Sequence, residues 1–406
     1  MSIMFSRYLF KIFRCRLFLS VFLLFIFFAS DSVVQGQFNF STDGENTALE
    51  SDEFTPSKYG PRRGVKQEQT WVAGIVLEAG SLLDDVTITM PVPTGWFEQE
   101  VKTYRYVKGK NAIPRGVDFR TINNGAKEAV IKFSNLRLNN KLEIILEFDT
   151  INYEVDPPEN TEIFAIPKRV SKEVSPYLKA SPKIEIDDSK VSSTLRKKLR
   201  EITNDKQTDW DKVEAIYRYV QRRVKYNDAN KSLPAKGVKA LLAMPEDKCE
   251  GDCKDLCSLF VAMCRLSKVP ARLVRLPEHC YAEFYLELSN DAESKIEKEK
   301  EKEKAEKMQI DKSEKESASS KSGVKQLPKK SLVEPRGFWF PCQVAGTYSF
   351  GGIHERQVIL QKGDSFPDLE NLPNGKKQFL TEVFEGSLQQ GSPNPIFKFI
   401  HDVKVK

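Results

Sequence analysis

Histidine is scarce in this chain: 406 residues hold only three, His279, His354 and His401. Any imidazole base must be one of them. Cysteine is also sparse, and unevenly placed. Cys15 stands in the leading segment, and Cys249, Cys253, Cys257, Cys264, Cys280 and Cys342 all fall within about a hundred residues. An even number of thiols invites a disulfide framework. Such clustering in a chain of this length suggests a site more than a set of staples. A net excess of either charge is nearly missing as well. Of the formal +6, Arg7, Lys11, Arg14 and Arg16 against Asp31 account for three, so the remainder carries about +3. That balance gives no sign of a nucleic-acid or acidic-surface partner.

The one long apolar run is at the start. Basic residues up to Arg16 precede Leu17 to Ala29 (LFLSVFLLFIFFA), and polar residues follow. A charged region, an apolar run and a small-residue exit form the pattern of a secretory signal. Val34 and Gly36 allow a cut before Gln37, and Ala29 offers an alternative. The run is shorter than the roughly 20 apolar residues of a spanning helix. If uncleaved and extended through Tyr8 to Phe13, it would instead be an anchor. Residues 1–36 are therefore expected to be a signal peptide and the rest to be secreted, periplasmic or on the cell surface.

Residues 37–66 are polar and read as a disordered linker. From Trp71, alternation with period two takes over: Val86, Ile88 and Met90, then Ile131 and Phe133, then Leu142, Ile144, Leu146 and Phe148. Val101 to Val107 is rich in Tyr and Val, and Asn123-Asn124-Gly125 and Asn139-Asn140 supply turns. Short strands without helical period predict an antiparallel β-sandwich-like domain over residues 67–155. A connector over 156–190 follows.

Helical spacing then begins. Thr208-Asp209-Trp210-Asp211 is a capping-box-like start, and Trp210, Val213, Ile216, Tyr217, Val220 and Val224 mark one face. Ala235 to Met244 reads as a short helix, and about Cys253 to Ser267 as another, stopped by Val269-Pro270. Strands are expected at Ala271 to Leu276 and Cys280 to Leu288. Between residues 290 and 332 lies a Lys/Glu tract including EKEKEKEKAEK, with little to bury; it reads as a disordered charged insert. Residues 363–406 are expected to pack on the second domain, which spans 191–362. The fold class is thus α+β.

A thiol attacks only as thiolate, so a catalytic cysteine needs a neighbour that favours that form. Cys253 begins a helix in Glu250-Gly251-Asp252-Cys253-Lys254, where free backbone N–H groups would surround the sulfur. Gly251 allows close backbone approach, and Lys254 adds positive charge. His279 opens the strand His279-Cys280-Tyr281-Ala282-Glu283, whose alternation would aim His279, Tyr281 and Glu283 to one face. A lone histidine there is more often structural, and a lone cysteine more often packed. Cys257 and Cys264 fall on the inner side of the helix and read as core. Cys249, Cys253 and Cys257 have spacing that zinc permits, but no second ligand cluster completes a set, so no metal or other cofactor is expected. His354 and His401 read as surface residues, and Arg272 as a structural hydrogen-bonder.

Together these blocks resemble the transglutaminase-like superfamily, relatives of the papain-type cysteine proteases. The resemblance rests on Gly251-Asp252-Cys253 with Arg272 of Val269-Pro270-Ala271-Arg272 nineteen positions later, on His279-Cys280-Tyr281, and on Trp339-Phe340-Pro341-Cys342-Gln343. It implies Cys253 as nucleophile, His279 as base and Gln343 at the third position, where the family has aspartate. Gly251, Asp252, Tyr281 and Trp339 would support them. An amide accepts the ring N–H but cannot offset an imidazolium charge. The implied activity is acyl transfer or amide hydrolysis through a Cys253 thioester, on a protein or peptide substrate. The alternative is an inactive binding or scaffold protein. If His279 pairs with Gln343 across neighbouring strands, Cys280 lies opposite Cys342, as two packed thiols or a disulfide.

Overall fold

Alternation organises the first half of the chain in the computed structural model, which describes residues 47–48, 57–78, 82–108, 117–122, 125–133, 136–137, 142–230, 234–302, 335–367, 375–388, 391 and 394–406. The expected signal, most of the linker, the Asn123-Asn124 and Asn139-Asn140 turns and residues 303–334 lie outside them. The strands are β1 (Arg62–Glu78), β2 (Leu82–Val92), β3 (Gln99–Lys108), β4 (Val117–Thr121), β5 (Lys127–Phe133) and β6 (Leu142–Asp156). They pair antiparallel in two sheets, β3-β6-β1 in one and β2-β5-β4 in the other. Trp71, Ala73, Ile75 and Leu77 of β1 and Leu142, Ile144, Leu146 and Phe148 of β6 share one buried cluster with Val86, Ile88 and Met90 of β2 and Ile131 and Phe133 of β5. Each such side chain contributes on the order of 2 kcal/mol of apolar burial. The sandwich reading holds, with one change: β1 starts at Arg62, inside the expected linker.

The second half is helical around one central helix. α1 (Ser189–Thr203), which the sequence reading did not single out, is capped by Asp188; α2 (Asp209–Arg223) is capped by Thr208, whose hydroxyl accepts from Asp211 N. α3 (Val238–Ala243) is short, and α4 (Cys253–Leu266) is buried on almost every side. Such burial requires partners for its polar side chains: Asp255 accepts from Lys236, Ser258 accepts from Gln378 and Arg265 donates to Ala271 O. The other three helices pack against α4, and so do β7 (Ala271–Arg275) and β8 (Cys280–Leu288). The helix ends with Lys268 in the left-handed region (φ 64), while Val269 N bonds Cys264 O and Lys268 N bonds Arg265 O. These two bonds form a Schellman cap in a position usually taken by glycine.

β9 (Gly337–Gln343) completes the sheet β9-β8-β7, all antiparallel. Along β8, Cys280, Ala282, Phe284, Leu286 and Leu288 join the α4 core. Tyr281 and Glu283, one step out of phase, leave that cluster. Tyr281 packs with Val155, Ile353 and Ile359. Glu283, with no solvent exposure, accepts from Arg272 Nε at 2.6 Å. Lys362 Nζ donates to both oxygens of Glu98 at 2.8 and 2.6 Å and also to Glu283. This ion cluster ties the β2–β3 segment of the sandwich to the sheet of the helical half. Arg272 lies 4.0 Å over the Trp339 ring, a structural role as expected.

Two expectations need correction. The last part of the chain does not stay with the second half. Asp364 and Gln378 do reach it, Asp364 ion-paired to Arg265 and Gln378 donating to Ser258, but Phe366 and Leu380 pack with Ala126 of the first half. Beyond them, β10 (Val383–Leu388) pairs with β2, and β11 (Ile396–Val405) pairs with β1 along ten residue pairs. The open edges of both sheets attract them, since an edge strand presents unpaired backbone groups. The connector contributes to the second half's core, where Phe164 and Ile184 enter the α4 cluster. Finally, the charged insert begins as a helix over residues 290–302, because Ala292 and Ile296, four apart, are both buried and Ser289 caps Ala292 N.

Candidate active site

Cys253 is the first residue of α4, and the turn before it is tightly built. Asp252 caps the helix, its carboxylate accepting from Asp255 N at 3.1 Å. A side chain on Gly251 would bring a Cβ to 2.7 Å from Asp255 Cβ, so only glycine fits without a shift. Asp255 in turn accepts from Lys236 N at 2.7 Å and Lys236 Nζ at 3.1 Å. Gly251 and Asp252 thus hold the helix start in place. The positive charge expected from Lys254 is balanced by Asp252, 2.9 Å away.

His279 sits just ahead of β8, in a turn closed by Leu276 N donating to His279 O at 2.9 Å. From there its ring lies near enough to the Cys253 thiol to favour its charged form, while the neighbouring Cys280 thiol acts the other way. Cys280 continues the contact inward, its carbonyl accepting from Cys257 Sγ at 3.5 Å. Gln343 Nε2 lies 2.9 Å from His279 Nε2. The three residues carried by the resemblance therefore come together, the His279 ring neighbouring both the Cys253 sulfur and the Gln343 amide.

They meet with a different register from the one expected. Ala282, not Cys280, lies opposite Cys342, and the ladder continues with Glu283 opposite Pro341. His279 precedes the strand and meets Gln343 diagonally, across a gap the longer glutamine side chain can span. Cys280 and Cys342 are both free thiols. Among the supporting residues, Tyr281 acts by packing: its ring is buried against Ile353, in the segment that runs past Gln343. Trp339 lies under Arg272 and beside Tyr285 rather than at the sulfur. His354 and His401 are exposed, His401 stacking on Trp71.

Glu355 is a site residue the sequence reading missed. Gln343 Nε2 donates to its Oε1 at 3.1 Å, Gln357 Nε2 donates to its Oε2 at 3.0 Å, and the Thr347 hydroxyl also donates to it. Gly351 (φ 77) lets the chain turn back after Phe350, and Ile353 then exchanges both backbone bonds with Val155 at 2.8 Å. A Gly-Gly pair eight residues beyond a candidate site residue, Gly351-Gly352 after Gln343, was the available signal for such a return.

The electrostatics differ from expectation. The neighbouring Cys280 thiol and then burial push the Cys253 thiol well above its ordinary value, and the nearby His279 offsets only part of this. Burial works against a charged His279, but the nearby Cys253 and the Glu355 carboxylate carry it above its ordinary value. At rest the sulfur is therefore a thiol, 3% exposed, not the thiolate that its helix-start position suggested. Iodoacetamide labelling of Cys253 should accordingly be slow near neutral pH and climb through the alkaline range as the thiolate forms. A rate already level at neutral pH, followed on the Cys253 peptide by mass spectrometry, would contradict this.

Residues 196–303 match the model of the transglutaminase-like superfamily, so this stretch, about a quarter of the chain, is a transglutaminase-like domain of that superfamily. The match contains Cys253 and His279 and stops short of Gln343. No curated protein matches the chain. Two solved structures are similar. One is a candidate cysteine protease from Cytophaga hutchinsonii, 12% identical, with a TM-score of 0.49 over 85% of this chain and 100% of that one. The other is a candidate protease from Parabacteroides distasonis, 11% identical, with a TM-score of 0.23 over 57% of this chain and 42% of that one. Likeness this slight carries no argument about chemistry.

Proposed function

We propose that the protein is an exported thiol-dependent enzyme that transfers or hydrolyses acyl groups of a protein or peptide substrate through a thioester on Cys253. The observation that carries this reading is the juxtaposition of the Cys253 sulfur, the His279 ring and the Gln343 amide. Because the sulfur rests as a thiol, attack and proton removal go together. The His279 ring takes the proton as sulfur bonds to the acyl carbon, and returns it to the departing amine. The Cys253 backbone N–H, at the first position of α4, has no intrahelical acceptor and is placed to donate to the developing oxyanion. Water then releases the acid, or an amine takes the acyl group.

One observation favours the second reading, an inactive domain that binds a partner. The thiol is nearly closed off and held protonated, and an amide stands in the third position. Reaction with p-nitrophenyl acetate separates the two. An enzyme should release a burst of one nitrophenolate per chain and carry the acetyl group on the Cys253 peptide, both absent in Cys253→Ala. A linear release that Cys253→Ala leaves unchanged would favour the scaffold.

A further inference from the structure

The charge that this site needs is present, one residue farther out than in the family pattern. A histidine that accepts a thiol proton becomes a cation, and burial around His279 makes that cation costly. Gln343, 1% exposed, meets the ring directly but is neutral. With its NH2 end toward Nε2, as the Glu355 bond holds it, the amide matches a neutral ring protonated at Nδ1. A ring that has taken the thiol proton carries N–H at Nε2, which only the amide oxygen accepts, and a neutral amide balances no charge in either state. Behind it stands a carboxylate. Glu355 Oε1 is 3.1 Å from the same amide nitrogen that lies 2.9 Å from the ring.

That carboxylate is placed by structure. The reversal at Gly351 and the Val155–Ile353 bridge bring Glu355 back to Gln343, while Thr347 and Gln357 donate to it and fix its orientation. Tyr281 packs under the same segment through Ile353. We propose that Glu355 is a positioning residue: from behind the Gln343 amide, its negative charge offsets the charge the His279 ring gains on taking the Cys253 proton. The assignment deepens the acyl-transfer reading and rests on it. A carboxylate one amide away acts by its field, so its effect is smaller than that of a direct contact.

Glu355→Gln tests this, because it keeps size and hydrogen-bonding groups and removes the charge. The titration midpoint of His279, followed by NMR of the imidazole, should fall, and the nitrophenolate burst should slow by up to about tenfold for each unit of that fall. Glu355→Asp, which keeps the charge, should retain most of both. With Gln343→Asp, where a carboxylate touches the ring itself, adding Glu355→Gln should change little. An unchanged His279 midpoint in Glu355→Gln would overturn the proposal, even if the variant were less stable. The NMR midpoint does not depend on catalysis, so a wild-type chain with no burst would count against the acyl-transfer reading while Glu355's electrostatic role is still decided.

Discussion

Lys362→Met should cost the protein about 3–5 kcal/mol of stability, the usual penalty for leaving a buried charge without its partner. It and the two carboxylates it joins are almost sealed from water: Lys362 is 2% exposed, Glu98 4% and Glu283 0%. Burial pulls Glu283 upward, but Arg272 and Lys362 outweigh it and hold its carboxyl at about 2. Glu98 has only Lys362; burial first, and then Glu283 across from it, push its carboxyl above the ordinary 4.5. Removing the ammonium leaves Glu283 with Arg272 and Glu98 with no cation. Glu98 then has to take up a proton on folding, and its folded value climbs further.

The sign of the pH dependence follows. Between the unfolded and the raised folded value, the native state binds more protons than the unfolded state, so stability falls as pH rises. The deficit of Lys362→Met should be smallest near about pH 4, where Glu98 is protonated in both states, and full at neutral pH. Urea unfolding at the two pH values measures it, and Glu98→Gln added to Lys362→Met should restore part of the loss. A deficit below about 1 kcal/mol, equal at both values, would mean that the cluster is not a desolvated unit.

His279→Ala should slow acetylation of Cys253 by about 10²–10⁴-fold, the range for losing a positioned base. The reasoning depends on the resting thiol. Its pKa is pushed up by Cys280 and burial, and with 3% exposure little water can reach it to take the proton. Without the ring, the route left is ionisation in advance, so the remaining rate should rise with hydroxide through the alkaline range. Burst kinetics across pH, beside Cys253→Ala, would show this. A fall of less than about threefold would remove His279 from the role of base.

What the sequence disclosed and what it hid divide along physical lines. The start of α4 was legible because Gly251, Asp252 and Cys253 act locally: close approach, cap and first turn are all properties of neighbours in the chain. The sandwich strands were legible because Ile88, Ile131 and Ile144 each sit in a period-two pattern. Gln343 was found through its resemblance block, and Glu355 was not, since its place depends on a Gly351 reversal and a bridge to Val155 far upstream. The thiol's resting state was misjudged for a similar reason. The helix start favours a thiolate, but Cys280 and burial, both tertiary, prevail. In β11, Phe397 and Phe399 alternate with Lys398 as a strand should, yet nothing local tells that segment to choose β1.

Those two late strands also constrain how the molecule can assemble. Val383 pairs with Thr89, and Phe399 with Ile75. With the intervening chain still loose, each pairing closes a very long loop, an entropic cost that must be met before any contact rewards it. A helical half that has already collapsed around α4 shortens that search, because Arg265 and Asp364 anchor the tail near its destination. Refolding should therefore run inward to outward, with amides of the sandwich edges gaining protection from hydrogen exchange last. A chain ending near residue 362 would have to fold with both sheets missing a border.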